Sequence, residues 1–146
     1  MSLTKVQTEL MGSGSVLQVV SSTYATQTSI ATNTWTNTGL TVSIIPKSAT
    51  SKIYIVATVM GYVPSGRNLK LTLNRGSTNL GDASYGMSTV YGSASGVQGA
   101  CAVSYLDSPA TTSSTSYTLA IAAELSTTYI CFNGEKASIT VMEIAA

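Results

Sequence analysis

The segment KIYIVATVMGYV, residues 52–63, constrains the fold of this chain most, because neither face of it is polar when it is read as a β-strand. Side chains of a strand alternate between its two faces. One face carries Ile53, Ile55, Ala57 and Val59, and the other carries Tyr54, Val56, Met60 and Tyr62, with Thr58 among them. A strand with one solvated face would alternate between apolar and polar residues. We therefore predict that both faces are covered, and that a second subunit covers one of them, since the chain shows no helix for a second layer.

The rest of the chain is typical of an all-β protein. Val, Ile, Tyr and Thr dominate its apolar and semi-polar stretches, and no window keeps helical apolar spacing beyond two turns. Turn signals such as Asn133-Gly134 separate short segments, which predicts an antiparallel jelly-roll β-sandwich of about 8–10 strands. The predicted strands are residues 16–24, 34–37, 40–45, 52–63, 69–74, 88–91, 100–106, 116–123, 128–132 and 137–144.

The first fifteen residues differ in character from the rest of the chain. They carry Leu3, Val6, Leu10 and Met11 and end in GSGS, which is typical of a flexible join. We predict a docking arm at residues 1–15 and one sandwich domain at residues 16–146. The chain has no basic segment followed by an apolar one and no apolar run of roughly 18 residues, so we expect neither secretion nor membrane insertion.

Three strands alternate and so predict the core. Their apolar faces are Leu40, Val42 and Ile44; Leu69, Leu71 and Leu73; and Tyr117, Leu119 and Ile121. The final strand, ASITVMEIAA, is too apolar for an exposed edge, which predicts a central position beside residues 52–63. The outer faces of these two strands form the predicted threefold subunit interface, which consists of Tyr54, Val56, Met60, Tyr62, Met142 and Ile144.

The sequences of several segments resemble those of a known family. YLDSPATTSSTSYTL at residues 105–119, the NG turn, the ending SITVMEIAA and the upstream LTLNRGSTNLG are similar to trimeric jelly-roll domains of bacteriophage virion structural proteins. The resemblance covers nearly all of residues 16–146. It implies a fold like that of the complement globular head and tumour necrosis factor, packed as a homotrimer. It implies no catalytic residue.

The residues offer little for catalysis or for cofactors. The chain has no His, the commonest general base and metal ligand. Its carboxylates Asp82, Asp107, Glu124 and Glu135 fall in turn-rich segments, which favours solvated turn residues, with Asp107 starting a turn, over a glycosidase pair. Cys101 and Cys131 are predicted to be small buried residues rather than a disulfide. We expect no enzyme, no metal and no cofactor.

The net charge of the chain argues against two classes of partner. The formal net charge is +1, from 7 basic and 6 acidic residues. A charge this small does not indicate binding to nucleic acid or to an anionic membrane. Arg67, Lys70 and Arg75 form a local basic cluster. It is interpreted as a solvated hairpin, with a salt bridge to an acidic coat protein as the alternative. Trp35 is predicted to be a packing residue rather than a sugar platform.

The segment GDASYGMSTVYGSASGVQG, residues 81–99, is rich in Gly, Ser and Tyr, as adaptable recognition loops are. Tyr85, Met87 and Tyr91 could contact a host surface glycan or a neighbouring virion protein. The alternative is a connection in which Gly supplies the turns and Tyr covers the end of the barrel.

Two functions remain open. The first is a homotrimeric decoration, or cement, protein on the capsid surface, bound to the major capsid protein or another virion protein. The second is a tail-fibre or tail-tip adhesin. A short apolar arm suffices for docking on a shell but supplies no fibre shaft, so the first is favoured. Either function places the protein on the particle surface after assembly in the host cytoplasm.

Overall fold

The computed structural model describes residues 12–124 and 126–146, so the predicted arm residues Leu3, Val6, Leu10 and Met11 lie outside the described part. Within that part the elements are all strands. They are β1 (Val16–Tyr24), β2 (Thr28–Ile30), β3 (Thr36–Ile44), β4 (Lys52–Val63), β5 (Asn68–Arg75), β6 (Thr78–Asn79), β7 (Ser88–Tyr91), β8 (Val97–Asp107), β9 (Thr115–Glu124), β10 (Thr128–Ile130) and β11 (Ala137–Ile144).

The strands form two antiparallel sheets, which confirms the all-β class and the two-sheet sandwich. The six-stranded sheet has the order β1-β11-β4-β10-β2, and β8 pairs with β4 as well. The five-stranded sheet has the order β3-β9-β5-β6, and β7 pairs with β5. The last strand, β11, lies between β1 and β4 and pairs with β4 from Ser138 opposite Thr58 to Ile144 opposite Lys52. The prediction that the final strand is central and lies beside residues 52–63 is therefore confirmed.

The hydrophobic core lies between the sheets. It contains the alternating faces predicted for β3, β5 and β9, together with the inner face of β4, from Ile53 to Val59. Cys101 and Cys131 are buried in it and carry free thiols, as predicted for small core residues. Each fully buried aliphatic side chain contributes about 1.5–3 kcal/mol relative to an exposed one, so this shared core holds the two sheets together.

The second face of the five-stranded sheet is covered along β5, whereas Thr41 and Ser43 of β3 are exposed on the same face. Lys70, Thr72 and Asn74 of β5 are buried there. Thr72 Oγ1 donates to Asn79 Oδ1 at 2.6 Å, and Asn74 Nδ2 donates to Asn37 Oδ1 at 2.7 Å. These bonds join β5 to β6 and to β3 of the same sheet, while the buried Asn74 Oδ1 accepts no hydrogen bond from the described residues.

This covering corrects the interpretation of the basic cluster as a solvated hairpin. The side chain of Lys70 is only 2% exposed and is hydrogen-bonded beneath a loop. Arg75 Nη1 binds both carboxylate oxygens of Asp107, at 2.8 and 2.9 Å. Sequence alternation correctly put Lys70 opposite the core, but could not show that a distant loop folds back over it.

Candidate subunit interface

The side of the six-stranded sheet that faces away from the core, here called the outer face, carries a row of large apolar residues. Val19 of β1 lies opposite Met142 of β11, Met142 opposite Tyr54 of β4, and Tyr54 opposite Leu106 of β8. Val19 is 55% exposed and Leu106 is 48% exposed. Directly opposed side chains on one face lie within contact distance, so the four make one apolar stripe across four strands.

The centre of the outer face is made of small and hydroxylated residues. Beside the apolar stripe, Val56 lies opposite Thr140 and Ser104, and further along β4 the residue Thr58 lies opposite Ser138 and Ala102. Among the outward-pointing paired residues of β1, β4, β8 and β11, the charged residue is Lys52, which lies at the end of the face. Charged residues are depleted at the centre of protein interfaces, and this face shares that one feature.

Three aromatic rings cluster at the other end of the outer face. Phe132 stacks on Tyr62 with the ring centroids 4.8 Å apart, and its ring meets that of Tyr129 edge-on at 5.1 Å. Phe132 extends from the connection between β10 and β11, where Cys131 has the positive φ of 51° and its carbonyl accepts a hydrogen bond from Gly134 N. A positive φ is unfavourable for Cys, so the surrounding packing must hold this turn and the exposed ring above it.

The six residues predicted for the interface all lie on this face and are half-buried or exposed in the single chain. They are Tyr54, Val56, Met60, Tyr62, Met142 and Ile144. Sequence reasoning missed four neighbours, namely Val19, Leu106, Tyr129 and Phe132. Leu106 could have been found from the alternation of β8, whereas Phe132 depends on a bend of the backbone that no local pattern reveals.

The predicted recognition loop lies on the opposite sheet, and its three residues differ in their exposure to solvent. Tyr85 is 67% exposed and Tyr91 is 62% exposed. Met87 is half-buried and packs against the core, and its role as a contact residue stays a prediction. Met87 N donates to Leu71 O at 2.8 Å, which ties the loop to β5.

Three carboxylates make structural hydrogen bonds. Asp107 is buried at the end of β8, where it accepts hydrogen bonds from Arg75 and from the hydroxyl of Tyr117, so its interpretation as a solvated turn residue is wrong. Asp82 is exposed and caps a turn as expected, since its Oδ1 accepts from Ser84 N and Tyr85 N, which together lower the pKa of its carboxyl. Glu143 is buried beside the loop that follows β3.

Within residues 12–124 and 126–146, the structure contains no group of three or more Cys, Asp or Glu side chains that could hold a metal ion. In the same ranges, no helix has the length and apolarity to cross a membrane.

No family model matches the chain, and no curated protein matches it. Among solved structures, the VP2 subviral particle of infectious bursal disease virus aligns with a TM-score of 0.46 at 11% identity, covering 100% of this chain and 42% of that chain. Structures of the Gt and Gx strains of infectious bursal disease virus align with TM-scores of 0.41 and 0.40, at 12% and 13% identity, over 43% of those chains. The chain thus spans less than half the length of these distantly similar structures.

Proposed function

We propose that this chain is a non-enzymatic structural protein of a bacteriophage virion, a homotrimeric jelly roll that decorates the capsid surface. The observation that carries the proposal is the outer face of the six-stranded sheet. It exposes an apolar stripe and an aromatic cluster, and the outward residues paired between them carry no charge. The sequence resemblance to trimeric jelly-roll domains of virion proteins supplies the threefold arrangement.

The order of the strands supports the jelly roll. Because β10 and β11 both pair on one side of β4 and β8 pairs on the other, four strands follow each other as β1-β11-β4-β8. In the second sheet the order is β3-β9-β5-β7, with β6 beside the far end of β5. Two four-stranded antiparallel sheets with these crossovers are what a jelly roll requires.

Burial of the outer face supplies the energy for association. Burying apolar surface stabilises by roughly 25 cal/mol per Å², and the small residues at the centre of the face allow strands of neighbouring subunits to approach closely. A threefold arrangement turns the outer face of each subunit toward the axis. The loop-covered sheet with Tyr85 and Tyr91 then stays on the outside.

A second candidate function is a tail-fibre or tail-tip adhesin. The observation that favours it is the pair of exposed tyrosines on the opposite sheet, Tyr85 and Tyr91. Such rings are common in recognition surfaces because they supply large contact area at low cost in conformational entropy.

The association is tested by Val56→Glu, which places a charge at the centre of the outer face. We expect sedimentation velocity to show trimer for the wild type and monomer or aggregate for the variant. Ser43→Glu is the matched control, because Ser43 is exposed on β3 of the other sheet, and it should leave the trimer intact. A stable trimer of the Val56→Glu variant would show that the outer face is not the subunit interface.

The place on the particle is tested by imaging gold-labelled protein on intact virions. Label over the head supports decoration, and label at the tail supports the adhesin. Deleting residues 1–13 should leave the trimer intact and abolish binding to particles, and binding that survives the deletion would contradict a docking role for the arm.

A further inference from the structure

Three residues form a row across the outside of the five-stranded sheet. Tyr91 of β7 lies opposite Asn68 of β5, and Asn68 lies opposite Glu124 of β9. Opposed residues point to the same side of a sheet, and Asn68 Nδ2 donates to Glu124 Oε2 at 3.1 Å. The row therefore presents an exposed aromatic ring, an amide and a carboxylate on one surface.

Beside this row the ammonium group of Lys70 is buried, and all three of its N–H groups donate hydrogen bonds. It donates to Glu124 Oε1 at 2.5 Å, to Asn33 Oδ1 at 3.1 Å and to Ser84 O at 3.1 Å. Three donors meet three acceptors, so the buried charge is satisfied. Lys70 and Asn68 together hold the pKa of Glu124 below its ordinary value. The Glu124 carboxylate is thus charged at neutral pH, and its charge is balanced by Lys70.

A second exposed ring stands over the same ammonium group. Lys70 Nζ lies 5.2 Å from the centre of the Tyr85 ring, within the range of a cation–π contact. The loop that carries Tyr85 is held at three points, since Trp35 Nε1 donates to Ala83 O at 2.7 Å, Lys70 donates to Ser84 O, and Asp82 accepts from Tyr85 N. Because the loop is fixed before any ligand arrives, ordering it costs little binding energy.

Hydrogen-bonding capacity remains at this surface. Within the described residues, Asn33 Nδ2 has no protein acceptor and Asn68 Oδ1 has no protein donor, although both side chains are fixed through their other atoms. Each Glu124 oxygen accepts a single hydrogen bond and can accept another. This surface therefore carries two exposed rings, one free donor and several free acceptors, and the Lys70–Glu124 ion pair within it has no net charge.

We propose that Tyr85, Tyr91, Asn33, Asn68 and Glu124 form a binding site for a neutral saccharide. A sugar ring presents a face of C–H bonds, which packs on aromatic rings, and an edge of hydroxyls, each of which both donates and accepts. The balanced charge of Lys70 and Glu124 disfavours an anionic ligand. From Tyr91 to Glu124 the row spans two strand spacings, about 10 Å, which matches two sugar units.

This inference goes beyond the proposed function and does not depend on it. The site lies on the sheet opposite the outer face and uses none of the six predicted interface residues. A head-surface protein and a fibre tip could both carry it. In either place it would attach the particle to a polysaccharide outside the cell.

Saturation-transfer NMR on the full chain tests the site with four neutral disaccharides, namely lactose, maltose, cellobiose and diacetylchitobiose. We expect at least one to receive saturation, and the side-chain amide signals of Asn33 and Asn68 to shift with it. Tyr85→Ala and Tyr91→Ala should each reduce the transfer at least fivefold. Both rings are exposed, so both variants should fold.

Tyr105→Ala is the matched control, because Tyr105 is an exposed tyrosine of β8 in the other sheet, and its transfer should equal that of the wild type. The proposal is overturned if none of the four disaccharides receives saturation. It is also overturned if transfer persists unchanged in both tyrosine variants. Sedimentation of the same samples reports the trimer separately, so the two proposals can fail independently.

Discussion

Phe132 stacks on Tyr62 with their ring centroids 4.8 Å apart, which joins the connection before β11 to the end of β4 on the outer face. Clustered aromatic residues are frequent hot spots of protein interfaces. We expect Phe132→Ser to weaken the proposed trimer by about 2 kcal/mol per subunit, which raises the dissociation constant roughly thirtyfold for each subunit that carries the substitution. Sedimentation equilibrium across a range of concentrations measures this change.

The control for Phe132→Ser is Ile45→Ser, which removes an exposed apolar side chain after β3 that is not part of the paired outer face. It should leave association unchanged. Equal weakening by both substitutions would show a general effect of exposed apolar surface and would contradict a specific role for the aromatic cluster.

Much of the fold could be predicted because the strands alternate locally. Residues 16–24, 52–63, 88–91 and 137–144 were predicted with the bounds that the structure shows. The short strands β2 and β6 were missed, since two or three residues carry no measurable period. Residues 34–37 and 40–45 were predicted as two strands, but a single strand, β3, runs from Thr36 to Ile44, and its pairing with β9 shifts in register between Asn37 and Thr41.

The sites were predicted less fully because they depend on contacts distant in sequence. Alternation alone correctly predicted which residues of β4 point away from the core, and their role in a subunit interface stays a prediction. The burial of Lys70 and the pairing of Asp107 with Arg75 were not predictable, since each requires knowing which strand or loop lies next to it. The same holds for Asn68 and Glu124, which meet only through the register of β5 with β9.

The buried hydrogen bond between Tyr117 and Asp107 should stabilise the sandwich. Tyr117 Oη donates to Asp107 Oδ2 at 2.7 Å, and burial, reinforced by that carboxylate, raises the pKa of the hydroxyl far above its usual value, so it remains a donor. Tyr117→Phe should lower the free energy of unfolding by about 1.5–3 kcal/mol, the usual range for a hydrogen bond to a charged group. Urea denaturation at fixed protein concentration measures it, and a loss below roughly 0.5 kcal/mol, the size of an exposed substitution, would show the bond to be unimportant.

Gly86 should be intolerant of a side chain, because its φ is 69° and a Cβ would overlap Leu71 O and the Trp35 ring. Gly86→Ala should destabilise the fold by more than the roughly 1–2 kcal/mol of left-handed strain and should speed amide exchange at Tyr85. Gly76→Ala is the matched control, since Gly76 has a φ of 56° but its Cβ would meet nothing within 4 Å. Equal losses in the two variants would mean that the loop yields to the added methyl group.

Glu143 should make stability depend on acid pH. Burial alone would raise the pKa of its carboxyl, but hydrogen bonds outweigh burial and hold the pKa below its ordinary value. The donors include Gln18 Nε2 at 2.6 Å and the backbone N–H groups of Lys47 and Ser48 at 2.7 and 3.3 Å. A carboxyl whose pKa is lower in the folded state stabilises that state above its unfolded pKa of about 4.3, and this stabilisation is lost as the pH falls through the folded pKa.

Replacing Glu143 by Gln should therefore lower the free energy of unfolding by about 1–3 kcal/mol at pH 7, because two backbone donors lose a charged acceptor. The difference from the wild type should shrink as the pH falls below about 4.3, because the carboxyl of the unfolded chain is protonated there before that of the folded chain. Urea denaturation at several pH values measures it. Glu135→Gln is the comparison variant, because this half-buried turn carboxylate accepts from the backbone N–H of Asn133 and from side-chain amides, and it should follow the wild type more closely. If Glu143→Gln instead keeps a constant offset down to about pH 3, the loss comes from packing and not from the charge of the carboxylate.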